Sequence, residues 1–325
     1  MSCTIKHIAE FTRPERDNSW HSKIEALYRQ QLSSWALAAQ NYKALENVEK
    51  RSIQFEQFRV DIQHNPGRER STCAKTDHKS IELRPCFLCS QNRPPEQKGL
   101  LISQRYLLLI NPFPIFSRHL TISDVEHEPQ SIAGRVAEML DIARQLENYT
   151  VLYNGPRCGA SAPDHFHFQA VEKGKFPIDN EIDSFSNERK NLLLKNEYIQ
   201  IFTISEYLRT VIVFEAGNIE VITAHFGKIM KSIPVEANES EPRINLLANY
   251  ENGTFKLTLF PRTEQRPEYY FMPEPQRIVV SAASVEMGGL IILPRKEDFN
   301  KIDKSVLVKI YADTSLDLNR INFNF

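Results

Sequence analysis

His165-Phe166-His167-Phe168-Gln169 is the stretch on which the reading of this chain turns. Side chains alternate across an extended segment, so His165, His167 and Gln169 share one face and Phe166 and Phe168 the other. At ~3.3 Å per residue the two imidazoles are rooted roughly 6.6 Å apart. The aromatic pair can anchor the strand in a core while the three polar groups line a cleft. Any half-buried strand alternates in this way, so the run alone also reads as an amphipathic strand with two surface histidines. Its neighbours shift the balance. Val151-Leu152-Tyr153-Asn154 has the composition of a strand, and Gly155 to Asp164 form a loop rich in Gly, Pro, Ala and Ser. Small residues let backbone N–H groups close on an anion. An imidazole beside such a loop can attack phosphorus while polar neighbours hold the phosphate oxygens.

The loop and the histidine strand together resemble the galactose-1-phosphate uridylyltransferase branch of the histidine-triad superfamily. That branch also contains the diadenosine tetraphosphate phosphorylases and the GDP-hexose phosphorylases. Its signature is a Gly-x-Ser loop followed by H-x-H-x-Q, matched here by Gly159, Ser161, His165, His167 and Gln169. Phe166 stands where the uridylyltransferases usually have Pro, and Asp164 adds a residue between loop and histidines.

With 325 residues the chain can form one large or two smaller domains. Its formal net charge of −1 gives no global field drawing it to nucleic acid or a membrane surface. No apolar stretch approaches the ~20 residues that span a bilayer, and Met1 to His7 lacks a signal-peptide core, so a soluble, cytoplasmic protein is expected. Five cysteines, an odd number, argue against a secreted disulfide framework. Cys3, Cys73 and Cys158 read as ordinary reduced thiols.

Apolar residues from Trp20 to Ala39 recur at helical spacing, which predicts one long helix over residues 18–48. A strand is expected at 53–63, then a turn at His64-Asn65-Pro66-Gly67 and a basic loop from Arg68 to Lys75. Strands are expected at 100–110, 119–123, 151–154 and 166–171, with a helix at 131–147. Residues 176–188 read as a polar linker. The second half repeats the order loosely: a strand at 207–215, a helix at 219–233, a hairpin about Asn252-Gly253, strands at 277–282 and 289–293, and a helix at 304–318. The second hairpin has no H-x-H. The resemblance implies an α+β, histidine-triad-like fold of two related halves of antiparallel sheet with packed helices. The expected divisions are a helical segment over 1–50, a catalytic half over 51–175 and a degenerate half over 176–325.

Arg84-Pro85-Cys86-Phe87-Leu88-Cys89 holds a C-x-x-C, a spacing that suits zinc or a thioredoxin-like redox pair. Gln91-Asn92-Arg93-Pro94-Pro95 suggests a knuckle and loop rather than the start of a redox helix. Zinc needs two more ligands, for which His127 and His165 are the candidates and His119 the runner-up for the third position. The other reading is two buried thiols and a surface histidine. In the uridylyltransferases a C-x-x-C, a His after a strand and the first His of H-x-H-x-Q bind one metal, so the resemblance implies that Cys86, Cys89, His127 and His165 hold a structural zinc, with iron as the alternative.

The resemblance implies that His167 attacks the α-phosphorus of a nucleoside diphosphate sugar or a dinucleoside polyphosphate. Phosphate or a sugar phosphate would resolve the nucleotidyl-histidine, and Gln169 and Ser161 would stabilise the phosphate charge. Asn65, Arg68, Lys75, Arg157 and Gly159 are candidate substrate contacts. Arg262 and Arg295 resemble acceptor-phosphate residues of the phosphorylases. Water as acceptor would make the protein a hydrolase, and a protein that only binds nucleotide is the third reading. A homodimer is left open by the sequence.

Overall fold

A computed structural model of the chain describes residues 7–9, 18–73 and 78–323. Helix α1 (Trp20–Ser34) starts at Ser19, whose hydroxyl accepts a hydrogen bond from the Ser22 N–H, and it buries Ile24, Leu27, Tyr28 and Gln31 along one stripe. The single helix expected over 18–48 breaks at Trp35, which turns extended and buries its indole, and α2 (Ala36–Ala44) follows. The strand expected at 53–63 is a hairpin of β1 (Glu49–Gln54) and β2 (Arg59–His64). Phe55 and Phe58 stack at 4.8 Å across its turn. The basic loop contains α3 (Glu69–Thr72), and α4 (His78–Glu82) precedes the C-x-x-C.

Two units of one design come next. The first is an antiparallel meander of β3 (Gly99–Ile102), β4 (Tyr106–Ile110) and β5 (His119–Asp124), then α5 (Val136–Gln145), then the hairpin β6 (Tyr149–Asn154) and β7 (His167–Glu172). After α6 (Pro177–Ser184) the second unit is the meander β8 (Lys190–Lys195), β9 (Ile199–Ile204) and β10 (Ile212–Ala216), then α7 (Ile219–Ser232), then the hairpin β11 (Ile244–Glu251) and β12 (Thr254–Pro261). In each unit the second hairpin strand returns beside the third meander strand, β7 on β5 and β12 on β10. The first hairpin strands, β6 and β11, pair with each other, so the halves fuse into one ten-stranded antiparallel sheet. This is the α+β fold of two related halves that the sequence implied.

The C-terminal segment adds α8 (Ser284–Met287), β13 (Leu290–Leu293), α9 (Lys296–Lys301) and α10 (Lys304–Thr314). Strand β13 runs parallel to β2, so a strand from the second half completes a small sheet begun in the first. Residues 277–282 form no strand: the Val279 N–H donates to the Asp298 carboxylate and the Ile278 N–H to the Tyr269 carbonyl, so loop partners satisfy backbone that a ladder would otherwise pair. Nor is 176–188 a polar linker. Pro177 fixes the first turn of α6, and Phe176, Ile178, Ile182 and Phe185 are buried beneath its polar outer face. No helix among the described residues is long and apolar enough to cross a membrane.

The large sheet separates two cores. One packs Phe166, Phe168, Tyr106 and Tyr153 under α1, α2, α5 and α7. The other packs Leu152, Val171, Leu247 and Phe260 against Ile62 of β2 and Ile291 of β13. Alternation along β7 then places His167 and Gln169 on the second face, toward the small sheet and the C-terminal segment.

Candidate active site

Phe166 and Phe168 are fully buried, their rings edge-to-face at 4.9 Å. That anchor presents His167 and Gln169 from the start of β7. The His167 ring nitrogen Nδ1 lies 2.9 Å from the His165 carbonyl. A carbonyl only accepts, so Nδ1 carries the proton and Nε2 keeps its lone pair. Burial pulls the His167 pKa down to about 4, which keeps the ring neutral at neutral pH.

Gln169 sits opposite Thr121 on β5, and its Oε1 lies 2.7 Å from Nε2 of His119. The runner-up metal ligand of the first half is therefore a partner of the catalytic glutamine candidate, not of the cysteines. Burial, helped by the nearby charge of Arg68, lowers the His119 pKa to about 3. Arg68 donates to the Phe113 carbonyl at 2.6 Å, and buried Asn65 donates to that of Pro114. Burial draws Arg68 down to about 10, opposed by the carboxylate of Glu286. Glu286 itself is raised to about 7 by burial.

The loop between β6 and β7 is clamped from the second half. Asn154 and Asn245 face each other across the β6–β11 seam. The Asn245 amide donates to Oδ1 of Asn154 and to the carbonyl of Cys158, and Oδ1 of Asn154 also accepts from the Ser284 N–H. Gly159 has a φ of +96°, and a Cβ there would lie 2.5 Å from that of Ala283. Glycine is required on both counts. Ser161 is half-buried in the same loop, and Arg157 is exposed on it. Arg84 pairs with Asp164 at 2.7 Å, which ties the loop to the segment preceding Cys86. Cys158 is buried and its thiol is pushed up to about 12, so it is a packing residue.

Cys86, Cys89, His127 and His165 bring four ligand atoms within 4.8 Å of one another. Nδ1 of His165 lies 3.4 and 3.5 Å from the two sulfurs, and Nδ1 of His127 lies 3.1 Å from that of Cys89. A tetrahedral ion with Zn–S of ~2.3 Å and Zn–N of ~2.0–2.1 Å sets sulfur and nitrogen roughly 3.6 Å apart, so the donors fit such an ion. Burial pushes the Cys86 thiol up to about 12, so a thiolate there needs a cation beside it. On the far side of the ring, Nε2 of His165 donates to the Asp124 carbonyl at 2.9 Å, which fixes the ring as a ligand histidine is normally fixed.

Three expected residues remain. Lys75 lies outside the described residues. Arg262 is buried: its guanidinium donates to the carbonyls of Thr314, Ala282 and Glu264 and to Oδ1 of Asn245, so it backs the seam that clamps the loop. Arg295 is matched to Asp298 by two bonds of 2.7 Å and to Glu274. Sequence reasoning missed Arg84, Asn154 and Asn245, whose partners lie far away in the chain.

The buried histidines and the four-ligand cluster thus lie in the first of two units of one design. Residues 27–172 match the family described as Domain of unknown function (DUF4922), and residues 184–322 match GDPGP1-like, C-terminal domain. The fold is similar to that of yeast Ap4A phosphorylase Apa2, with a TM-score of 0.61 at 16% identity over 93% of this chain and 98% of that one. The structure of Apa2 in complex with Ap4A gives a TM-score of 0.60 at 16% identity over 89% and 97%. The complex with AMP gives 0.54 at 15% over 88% and 96%. A search of curated protein sequences gives no match. The chain thus shares the fold of an Ap4A phosphorylase over nearly its whole length, and its C-terminal part matches a GDPGP1-like domain.

Proposed function

We propose that the protein is a nucleotidyltransferase of the phosphorylase kind. It moves a nucleoside monophosphate unit from a dinucleoside polyphosphate or a nucleoside diphosphate sugar to phosphate or a sugar phosphate. The observation that carries this is the bond from Nδ1 of His167 to the His165 carbonyl, which leaves a neutral, outward Nε2 lone pair on the face that also carries Gln169. Nε2 attacks the α-phosphorus and forms an N–P bond as the P–O bond to the rest of the donor breaks. That oxygen leaves with the electron pair as a phosphate group. An oxygen of the acceptor phosphate then attacks the same phosphorus, and the N–P pair returns to Nε2.

Gln169 and the Gly159–Ser161 loop donate hydrogen bonds to the phosphate as its charge shifts. Arg68 and Asn65, which hold the Phe113–Pro114 segment beside His119, and Arg157 on the β6–β7 loop are the candidate contacts to the polyphosphate. Arg262 serves through Asn245, and Arg295 through its carboxylate partners in the C-terminal segment, rather than as direct phosphate ligands. A structural zinc, with iron as alternative, held by Cys86, Cys89, His127 and His165 would lock the His165 backbone whose carbonyl orients His167.

The test is a panel of dinucleoside polyphosphates and nucleoside diphosphate sugars, incubated with and without inorganic phosphate. Phosphate-dependent release of a nucleoside diphosphate, and a nucleotide bound to the chain when the acceptor is omitted, are the expected results. Release of nucleoside monophosphate at equal rates with and without phosphate would make the protein a hydrolase. No turnover and no adduct across the panel would overturn the reading.

A further inference from the structure

We propose that His119 is a positioning residue for Gln169: it fixes the side-chain amide so that the NH2 end, not the oxygen, faces the phosphate on His167. The argument rests on the reaction proposed above, and it begins from a backbone group. The Ile115 N–H points at Nδ1 of His119 at 3.2 Å. A peptide N–H can only donate, so Nδ1 must carry the lone pair. The proton of the neutral ring is then on Nε2, which lies 2.7 Å from Gln169. An N–H needs an acceptor, so the atom of Gln169 turned toward His119 is the oxygen. The NH2 end is left over, and among the described residues it has no hydrogen-bond partner.

The ring that imposes this is itself immobile. His119 is fully buried, Phe116 packs edge-on at 6.2 Å, and β5 holds its backbone in the sheet next to β7. Burial and the nearby charge of Arg68 both oppose a second proton on the ring, which would leave Nδ1 unable to accept from Ile115. An amide flipped the other way would set its oxygen against a phosphate anion. Without His119 the amide can rotate, and its NH2 end then faces the phosphate for only part of the time.

Two measurements test this, one of them independent of turnover. Imidazole ¹⁵N spectra of the intact protein should show His119 as the tautomer protonated on Nε2. The Gln169 side-chain amide signals should move in His119→Ala. In kinetics, His119→Ala should slow formation of the adduct by about 10²-fold with KM changed far less. His119→Gln can still accept from Ile115 and donate to Gln169, so it should recover to within about 10-fold of the original rate. In a Gln169→Ala background either change at His119 should cost nothing further. An Nδ1–H tautomer, unmoved Gln169 amide signals, or losses that add fully in the double variant would overturn the proposal. If no donor is turned over, the phosphorylase reading falls, while the tautomer and amide signals still decide the placement of His119.

Discussion

Between β6 and β7 the chain runs through residues 155–166, whereas between β11 and β12 it turns in two residues, Asn252 and Gly253. The strand order around both hairpins is the same. The second turn has positive φ at both positions, +49° and +82°, the turn that best matches the twist of paired strands. Strand β12 buries Phe255, Leu257, Thr258, Leu259 and Phe260, and no histidine. Strand β7 buries His167 beside Phe168, with His165 just ahead of it and His119 on the neighbouring strand. The fold therefore needs neither the long loop nor the buried imidazoles. Both halves bury hydrogen-bonded polar groups, but the first half alone buries imidazoles on these strands, and buried titratable groups of that kind cluster at functional sites.

That contrast breaks most sharply at the nucleophile. His167→Ala should abolish the covalent nucleotide and lower turnover by about 10³-fold or more. Metal content and melting temperature should stay near those of the original protein, because the Phe166–Phe168 anchor remains. The adduct, once formed, should be acid-labile and base-stable, as a phosphoramidate is. Turnover of the variant near the original rate would leave the first half without its assigned chemistry.

The C-x-x-C knuckle has no counterpart in the second half, whose sequence contains no cysteine. Purified protein should hold about one zinc or similar ion per chain, since four such ligands close one tetrahedral site. Cys86→Ser, or treatment with a strong chelator, should remove it and destabilise the protein, since metal binding is coupled to folding. Hydrogen exchange should rise around residues 84–97 and 165–169 and stay unchanged across β8 to β12. Metal-free protein with an unaltered melting temperature and exchange pattern would show that the cluster is only a group of buried thiols and imidazoles.

Two glycines at positive φ give a matched pair. A Cβ on Gly253 meets nothing within 4 Å, so Gly253→Ala should cost about 1 kcal/mol of strain and leave activity alone. A Cβ on Gly159 meets Ala283 at 2.5 Å in addition to the strain at φ +96°. Gly159→Ala should cost about 2 kcal/mol and lower activity at least ~10-fold by moving the loop. Equal loss of activity in both variants would mean that the loop is no more functional than the turn.

The reach of the sequence follows the same division. Period-two alternation from His167 to Gln169 and the Asn252-Gly253 turn are local signals that the structure shows as strand and hairpin; His165 lies in a bend just before β7, where it meets the two sulfurs of the C-x-x-C. Strands β8 and β9 escaped because β8 is an exposed edge whose Lys190, Asn191 and Lys195 read as loop. Helix α6 escaped because its polar outer residues hid Phe176, Ile178, Ile182 and Phe185, although Pro177 marked its start. His119 was visible as a histidine, but only the bond to Gln169, a residue 50 positions away, separates a positioning role from a metal ligand. Asn154 and Asn245 are 91 positions apart and meet only because the halves pair through β6 and β11. No local pattern encodes that seam.

The seam itself yields the smallest and most specific test. Asp179, in α6, sits where the halves meet: Oδ2 accepts from the Gly174 N–H at 3.0 Å and from the Thr150 hydroxyl on β6, and Oδ1 accepts from the Asn249 amide on β11. Desolvation raises its pKa from 3.8 to about 6 despite these donors. The folded state therefore binds this proton more tightly than the unfolded chain does. The stability it contributes is fully present below about pH 4, declines as pH rises through the window from about 4 to about 6, and stays lost above it. The shift allows up to about 3 kcal/mol. Asp179→Asn removes the titration but keeps one oxygen where the carboxylate had two, giving back about 1 kcal/mol for each hydrogen bond removed. The net expectation is a variant more stable than the original by about 1 kcal/mol at pH 8 and no more stable at pH 4. Urea unfolding at pH 4, 6 and 8 measures it directly. Parallel profiles for the two proteins would mean that Asp179 binds its proton no more tightly at the seam than in the unfolded chain.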